Sequence, residues 1–176
     1  MSEGGYRVRL ARPEEAPALG AIERAAAARF AAIGLERIAQ GRPTSEPEYL
    51  EAIGGGRLWV VEEAGGAIAG LAIADILDGE GFLAEISVRP EHGGRRLATH
   101  MIDAVAAWAA AQGCASLRLT TFTDVPWNRP YYERLGFVVL DEAEAGPQLR
   151  SVRERERARG VDSHGPRVCM ARKIGR

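Results

Sequence analysis

The spacing of apolar and polar residues changes several times along the chain, and each change marks a predicted element. Residues 6–12 alternate apolar and charged side chains, which is typical of a half-buried strand. Helical spacing follows over residues 13–30, with a proline in the first turn and acids near the positive end of the helix dipole. Residues 34–45 predict a loop with a short helical piece, and residues 45–53 predict a second, shorter helix. The chain is therefore expected to begin with one strand and two helices.

The middle of the chain predicts three strands and one long helix. Residues 57–64 and 67–77 read as a hairpin that turns at a glycine pair, and residues 82–88 form a third β-like run. Residues 95–112 have the clearest helical periodicity in the chain, and Gly113 follows as a helix-ending glycine. The apolar stripe of this helix comprises Leu97, Met101, Val105 and Trp108.

The last third of the chain continues the alternation of strands and helices. Residues 116–122 predict a strand, and a short helix is expected within residues 126–137 before residues 137–140 return to the sheet. The charged residues 149–158 predict a solvated, ion-paired helix, and residues 167–174 predict a closing strand. The predicted order is β-α-α-β-β-β-α-β-α-β followed by a helix and a strand. Because no repeat or linker divides it, we expect one α/β (α+β) domain over residues 1–176, with mixed strand directions.

Composition narrows the functional classes. The chain is 46% hydrophobic and 27% charged, and its formal net charge of −1 gives no global basic field for nucleic acid or an anionic membrane. The sequence lacks a signal-peptide core and any apolar run of membrane-span length, so we expect a soluble, cytoplasmic protein. Cys114 and Cys169 are expected to be reduced, and neither they nor the histidines have metal-ligand spacing.

The segment "VRPEHGGRRLAT", residues 88–99, lies between a predicted strand and the long helix. The first N–H groups of a helix have no intrahelical partner and point along a positive dipole, which suits a phosphate. Gly93 and Gly94 allow close backbone approach, while Arg95 and Arg96 offer charge-assisted hydrogen bonds. The alternative is a simple turn with solvated arginines, and this segment alone does not separate the two.

A second segment decides between these interpretations. Together, "ISVRPEHGGRRLATHMI" (residues 86–102) and "WNRPYYERLGFVV" (residues 127–139) resemble the GNAT superfamily of acyl-CoA N-acyltransferases. Its members have a V-x-P strand end, a loop R/Q-x-x-G-x-G/A that binds the coenzyme A pyrophosphate, and a tyrosine four residues before a Gly-Phe pair. Here that tyrosine is Tyr132. Two motifs in the right elements make the resemblance specific.

The resemblance implies a fold, a co-substrate and a set of contacts. The fold is a mixed, mostly antiparallel sheet flanked by helices and splayed at the fourth and fifth predicted strands, with an acyl-CoA-binding core at about residues 57–140 and a C-terminal helix and strand in 141–176. Acetyl-CoA is the implied co-substrate, without a metal. The expected cofactor contacts are Ile86, Ser87, Val88, Gly93, Gly94, Arg95, Arg96, Leu97, Ala98, Thr99, Asn128 and Tyr132.

The loop departs from the family pattern at two positions. Gly93 stands at the R/Q position and Arg96 stands where the middle glycine is usual, while Ala98 matches the final position. We expect Arg96 to adopt a helical conformation that an L-residue tolerates. Because an amide cradle depends on backbone groups, it survives this change. The interval from Asn128 to Tyr132 is about one helical turn shorter than in the commonest family pattern, and Pro130 agrees with this because it is expected to start a helix rather than to lie within one.

The resemblance also implies catalytic roles. Tyr132 corresponds to the general acid that protonates the leaving thiolate. Backbone amides near Val88 correspond to the groups that bind the thioester carbonyl oxygen, as in an oxyanion hole. Glu85 is the leading candidate for the general base. It lies in an otherwise apolar strand, where a carboxylate is rare unless it is paired or has a functional role. Asp124 and a water chain are the alternatives for the general base. If Glu85 is not catalytic, it is expected to be a carboxylate at the exposed rim of the sheet. His92, beside the loop, is read as a solvated or phosphate-side residue.

The acceptor is expected to be the primary amine of a small molecule or amino-acid-like compound. Candidate contacts are Asp124, Trp127 and Tyr49, and no code in the intervening loops names the amine. A non-catalytic acyl-CoA sensor and a protein or peptide amine acetyltransferase are the alternatives. A dinucleotide site at residues 65–70 is rejected because a strand pattern, not a helix, follows those glycines. Homodimers are common for the fold, and a homodimer is one expectation for the oligomeric state.

Overall fold

The computed structural model describes residues 2–3 and 5–175, and these form two compact units. The first unit contains the described residues up to 74 together with 85–105, and the second contains residues 75–84 and those from 106 onward. Strands β4 and β5 and helix α4 each run from one unit into the other.

Strands in the first unit are hydrogen-bonded in chain order, from β1 to β5. Their bounds are β1 Ser2–Glu3, β2 Tyr6–Leu10, β3 Leu58–Glu63, β4 Ile68–Leu77 and β5 Glu80–Val88. The pairs β1–β2, β2–β3 and β3–β4 are antiparallel. The helices are α1 Ala16–Ala27, α2 Glu36–Ala39 and α3 Glu46–Gly54, with 3-10 turns at Pro13–Glu15, Ala28–Ile33 and Pro90–His92. Helix α4, Leu97–Ala111, begins here.

Helices α1 and α3 pack through apolar residues onto this part of the sheet. Their shared core consists of Ala11, Ala16, Leu19, Ile22, Tyr49, Ala52, Leu58, Val60, Leu71 and Ile73. Helix α3 starts where the sequence predicts, because Glu48 reaches back to Ser45: the Ser45 amide donates to Glu48 Oε2 at 2.9 Å, and the Ser45 hydroxyl donates to the same oxygen. Burial of these apolar side chains thus fixes α1 and α3 against the sheet.

In the second unit the strand order is β5–β6–β8–β7. The elements are β6 Ser116–Phe122, α5 Arg129–Arg134, β7 Val138–Leu140, α6 Pro147–Ala158 and β8 Arg167–Lys173, with a 3-10 turn at Val161–His164. Strand β5 pairs in parallel with β6, where Gly81 faces Leu117 and Phe82 faces Arg118. Strand β8 lies between β6 and β7 and is antiparallel to both.

Helix α6 is held at its N-terminus by the turn between β4 and β5. The Asp78 carboxylate accepts backbone N–H bonds from Gln148 at 2.9 Å and from Leu149 at 3.0 Å. Asp78 has a φ of +54°, a conformation in which L-residues other than Asn and Asp are rare. A Cβ atom on Gly146 would lie 2.2 Å from the Asp78 Cγ, so the residue before the helix must lack a side chain. Together these contacts give α6 an N-cap from a distant part of the chain.

The sequence-based expectation of a solvated α6 is corrected at Arg153. This side chain is only 1% exposed, and its guanidinium contacts Glu156 and lies 2.8 Å from Asp162 Oδ2. Arg157 contacts Glu142, whose carboxylate also lies 3.5 Å from Arg153 Nε. Burial acts to lower the pKa of Arg153, but its hydrogen bonds to Asp162 and Glu156 outweigh burial and raise it. The charge pattern predicted the ion pairs, and only packing reveals that one member lies in the core.

The mixed, mostly antiparallel α/β fold and the order of the elements are confirmed. The two-residue β1 was not predicted, and α4 begins at Leu97, two residues later than expected. A two-residue strand is too short to show a periodicity, and helix ends are where local patterns are least informative. The splay between the two parallel strands and the single domain over residues 1–176 stay predictions. Among the described residues, no helix combines the length and the apolar character needed to cross a bilayer.

Candidate active site

The loop from β5 to α4 has an unusual backbone in the first unit. A 3-10 turn at Pro90–His92 follows the strand, and the chain then passes through exposed residues 93–96 before the helix. Gly94 has a φ of +74° and Arg96 a φ of +57°. The His100 amide donates to the Arg96 carbonyl at 3.1 Å, so Arg96 is the last residue before the helical turns.

The conformation of Arg96 corrects the sequence-based expectation. A helical conformation tolerated by an L-residue was expected, whereas a φ of +57° is in the left-handed region. A side chain in this region costs about 1 to 2 kcal/mol because the Cβ approaches the following carbonyl, and glycine avoids that cost. The backbone therefore has the shape expected with glycine at this position, although the residue is arginine.

This backbone is suited to hold an anion. Successive backbone N–H groups form an anion-binding concavity where right-handed and left-handed residues follow each other or where the chain turns. Here the loop leads directly into α4, whose first turn contains Leu97, Ala98 and Thr99 and adds the positive end of the helix dipole. Leu97 is 3% exposed and anchors the turn to the core. The predicted contact residues Gly93 to Thr99 thus form one continuous segment.

Two aromatic contacts attach the loop to β2. The Tyr6 hydroxyl lies 2.8 Å from His92 Nδ1, and the two rings meet edge to face with centroids 5.7 Å apart. The Arg95 guanidinium carbon lies 5.7 Å from the centroid of the Tyr6 ring, within the range of a cation–π contact. Sequence reasoning missed Tyr6, which is separated from His92 by 86 residues. Its only local signal is an aromatic residue at the start of an alternating strand.

Glu85, the candidate base, is near the end of β5 and is partly buried. The Ser87 hydroxyl donates a hydrogen bond to Glu85 Oε1 at 2.8 Å, and Ser87 itself is 7% exposed. Residues two apart on a strand point to the same face, which explains why these side chains meet. Ile86 and Val88, the other predicted contacts of this strand, are partly buried.

Tyr49, a predicted acceptor contact, is 1% exposed and lies in the core between α1 and α3. Its hydroxyl donates to Glu23 Oε1 at 2.7 Å, and the Thr44 amide donates to Glu23 Oε2 at 2.9 Å. Burial, the hydrogen bond to Glu23 and the negative charges of Glu23 and Glu85 raise the pKa of Tyr49. The sequence analysis did not single out Glu23. Its position directly after Ile22, which faces the core, is a signal that this carboxylate is buried and hydrogen-bonded.

In the second unit, α5 carries Tyr132. The helix begins at Arg129 with Pro130 as its second residue, as the sequence predicted, and the Asn128 carbonyl accepts the amides of Tyr131 and Tyr132. Tyr132 is partly buried, and its ring meets Phe137 edge to face at a centroid distance of 5.6 Å. Gly136, with a φ of +84°, ends this segment.

The two remaining predicted residues lie in the turn between β6 and α5. Asp124 is exposed and Trp127 is partly buried, while Val125 between them is 5% exposed and anchors the turn. The Val125 carbonyl accepts the Asn128 amide at 2.9 Å, which closes the turn just before α5. Asp124 is therefore exposed in the turn, and Tyr132 is partly buried on the helix that follows.

The two cysteines and the metal-ligating residue types do not form a further candidate site in the described part of the chain. Cys114 and Cys169 are buried, and burial raises the pKa of both thiols, which disfavours a thiolate nucleophile. Within the described part of the chain, no three His, Cys, Asp or Glu residues are grouped so as to hold a metal ion.

Comparison with known proteins identifies the family and related folds. A family model described as the acetyltransferase (GNAT) family matches residues 23–137. The fold is similar to N-acetylglutamate synthase from Neisseria gonorrhoeae complexed with coenzyme A and N-acetyl-glutamate, with a TM-score of 0.74 and 18% identity. That match covers 99% of this chain but 36% of the other, so this chain spans little more than a third of that enzyme's length.

Two other similar structures are matched along nearly their whole length. The PaiA N-acetyltransferase from Thermoplasma acidophilum in complex with coenzyme A has a TM-score of 0.68 and 15% identity, covering 98% of this chain and 99% of that one. The ribosomal-protein-S18-alanine N-acetyltransferase from Escherichia coli has a TM-score of 0.66 and 18% identity, covering 97% and 95%. At these identities the structural matches establish the fold.

Proposed function

Because the chain belongs to the acetyltransferase (GNAT) family, we propose that it is an N-acetyltransferase that uses acetyl-CoA. The proposed acceptor is the primary amine of a small molecule or amino-acid-like compound. The acyl group passes directly to the amine while both substrates are bound. Similar structures complexed with coenzyme A support the choice of co-substrate.

The observation that carries the proposal is the backbone of the loop before α4. Gly94 and Arg96 have left-handed φ values in an exposed loop that leads directly into the N-terminus of α4, and both features favour anion binding by backbone N–H groups. A pyrophosphate is the anion that this geometry suits best in a family that uses coenzyme A. Arg95 and Arg96 would add charge-assisted hydrogen bonds to the phosphate oxygens.

The proposed chemistry requires one base and one acid. Glu85 takes a proton from the substrate ammonium, directly or through a water, and the neutral nitrogen attacks the thioester carbonyl carbon. Backbone N–H groups near Val88 hold the carbonyl oxygen as negative charge develops on it. The carbon–sulfur bond then breaks, and the Tyr132 hydroxyl gives its proton to the sulfur and recovers one from the acylated nitrogen. The products are the amide, the free thiol of coenzyme A and one proton.

An acceptor panel tests this proposal most directly. Purified protein is incubated with acetyl-CoA and single amines, including amino acids, simple alkyl amines, polyamines and short peptides, and free thiol is followed. We expect steady thiol release that depends on a primary amine. Tight acetyl-CoA binding without release for any amine would instead identify the acyl-CoA sensor, and release with peptides alone would identify a peptide amine acetyltransferase. The Escherichia coli neighbour, named for an alanine of a ribosomal protein, is the reason to include peptides.

The acid role has a matched control on the same helix. Tyr132→Phe removes the hydroxyl but keeps the ring contact with Phe137, so we expect turnover to fall about 100-fold while acetyl-CoA affinity stays within about twofold. Tyr131→Phe removes the neighbouring hydroxyl and should leave turnover nearly unchanged. Equal turnover of Tyr132→Phe and wild type across the pH range would remove Tyr132 from the mechanism.

A further inference from the structure

We propose that Ser87 is a positioning residue for Glu85, whose hydroxyl fixes the carboxylate of the base in the orientation needed for proton transfer. This inference rests on the proposed function, in which Glu85 is the general base, and it adds a residue that orients that base. The family resemblance assigns Ser87 only a cofactor contact, whereas its side chain contacts a carboxylate.

The hydrogen bond itself is the first step of the argument. Ser87 Oγ lies 2.8 Å from Glu85 Oε1, within the range of a strong hydroxyl-to-carboxylate bond. An ionised carboxylate has no proton to give, so the serine hydroxyl is the donor. Ser87 is 7% exposed, which means that water does not compete freely for this hydroxyl. A buried hydroxyl without a partner would cost free energy, and this bond removes that cost.

The backbone at Ser87 is held in place by close packing against β4. A Cβ atom on Gly70 would lie 2.6 Å from the Ser87 carbonyl oxygen, so only glycine permits this approach. The same Cβ would lie 3.2 Å from Met101 Cε and 3.2 Å from Val61 Cγ1, so the space is closed on several sides. One residue after Val88, the Arg89 amide donates to the Ala69 carbonyl at 2.8 Å. A serine on such a fixed segment can orient its neighbour reliably.

The charged surroundings make the orientation of Glu85 matter. Glu23 is 9% exposed, and its two oxygens accept neutral donors, the Tyr49 hydroxyl and the Thr44 amide. The Glu85 charge acts on Tyr49, so Glu85 and Glu23 both influence that phenol. Like charges disfavour a second ionised carboxylate nearby, and a hydroxyl donor favours the ionised form. The Ser87 hydroxyl therefore supplies an interaction that favours the ionised, proton-accepting form of Glu85 and fixes the position of its Oε1.

Three variants test the proposal. Ser87→Ala removes the donor with little change of shape, Ser87→Thr keeps a hydroxyl, and Glu85→Gln removes the base. We expect Ser87→Ala to lower turnover about tenfold through loss of orientation, with acetyl-CoA affinity within about twofold of wild type. We also expect the acidic limb of its kcat/KM profile to move up by about one pH unit, because the carboxylate has lost a hydrogen bond. Ser87→Thr should restore most of both properties.

A second readout does not depend on turnover. The side-chain carboxyl carbon of Glu85 is assigned by its absence in Glu85→Gln and titrated by NMR in wild type and Ser87→Ala. A midpoint about one pH unit higher in Ser87→Ala is expected, and an unchanged midpoint overturns the proposal. Equal turnover of Ser87→Ala and wild type also overturns it, as does a Ser87→Thr variant as impaired as Ser87→Ala.

The outcomes separate this inference from the proposed function. An active wild type whose Ser87→Ala variant is equally active leaves the acetyltransferase in place and removes the role of Ser87. Full activity of Glu85→Gln removes Glu85 as the base, and the role of Ser87 with it, while the transferase stands. A wild type without thiol release for any amine overturns the proposed function, and the positioning role falls with it.

Discussion

The loop at residues 93–96 and helix α6 both carry arginines, and their surroundings differ sharply. In the loop, Arg95 and Arg96 are exposed, and Arg95 contacts the ring of Tyr6. In α6, Arg153 is 1% exposed and is surrounded by Glu142, Glu156 and Asp162. The same residue type thus neutralises carboxylates within the fold in one region and presents charge at the surface in the other.

This difference shows that partners decide what an arginine does. The carboxylates around Arg153 satisfy its charge, so removing the arginine leaves partly buried negative groups behind. The loop arginines are exposed in a segment that leads into the N-terminus of α4, so removing them should alter a binding property before it alters the fold. Variants in the two regions should therefore change different measurements.

The largest expected effect is a loss of stability in α6. Arg153→Met keeps the apolar volume but leaves Asp162, Glu156 and Glu142 without their shared cation, and we expect a loss of about 3 kcal/mol in the free energy of unfolding. Urea unfolding followed by circular dichroism measures it. Arg155→Met on the exposed face of the same helix is the control, with an expected change under about 0.5 kcal/mol. Equal stability of the two variants would contradict the assignment of Arg153 to the core.

Smaller changes of stability and of coenzyme A affinity are expected in the loop. Two substitutions at Arg96 distinguish the effect of its backbone conformation from the effect of its charge. Arg96→Gly and Arg96→Ala both remove the guanidinium, but only glycine accepts a φ of +57° without a Cβ conflict. We expect Arg96→Gly to be about 1 kcal/mol more stable than Arg96→Ala. Both should bind coenzyme A several-fold more weakly than wild type, with a loss that shrinks at high salt.

Calorimetric titration of coenzyme A and urea unfolding measure the two effects separately. Equal stabilities of Arg96→Gly and Arg96→Ala would show that the left-handed conformation carries no cost. Unchanged coenzyme A affinity in both variants would show that the guanidinium does not face the phosphate.

The smallest expected effect is a pH dependence of stability. Hydrogen bonding to Arg153 lowers the pKa of Asp162, and hydrogen bonding to Arg157 lowers that of Glu142. A carboxyl whose folded-state pKa is lowered stabilises the protein above its unfolded pKa of about 4, and this contribution is lost as the pH falls through the folded value. Unfolding at a series of pH values between neutral and acid should show this loss. It should be weaker in Arg153→Met than in Arg155→Met, and parallel curves would contradict the assigned cause.

Local periodicity was enough to predict most of the fold. Alternation over residues 6–12 and the apolar stripe of α4 follow from side-chain spacing alone, and the positions of these elements are confirmed. Gly113 after α4 and Pro130 in α5 predicted element boundaries because they free or restrict the backbone locally. These signals are contained within a few residues, so a single sequence reveals them.

Contacts between distant residues could not be predicted in this way. The pairing of Tyr6 with His92 and of Glu23 with Tyr49 joins residues of different elements, and nothing in either local pattern names the partner. The charges of α6 predicted ion pairs but not the burial of Arg153, because burial depends on segments that follow and precede the helix. The left-handed φ of Arg96 was hidden for another reason, since an arginine gives no local sign of a conformation that glycine usually adopts.

The cap that Asp78 provides for α6 has a consequence for engineering the chain. The turn between β4 and β5 and the start of α6 are separated by about 70 residues in sequence but share one set of hydrogen bonds. An insertion that lengthens this turn would withdraw the carboxylate and uncap a helix encoded far downstream. Any exchange of the hairpin turn with that of another protein must therefore bring along a matching helix start, with a residue lacking a side chain at position 146. The hairpin turn and helix α6 thus have to be exchanged together.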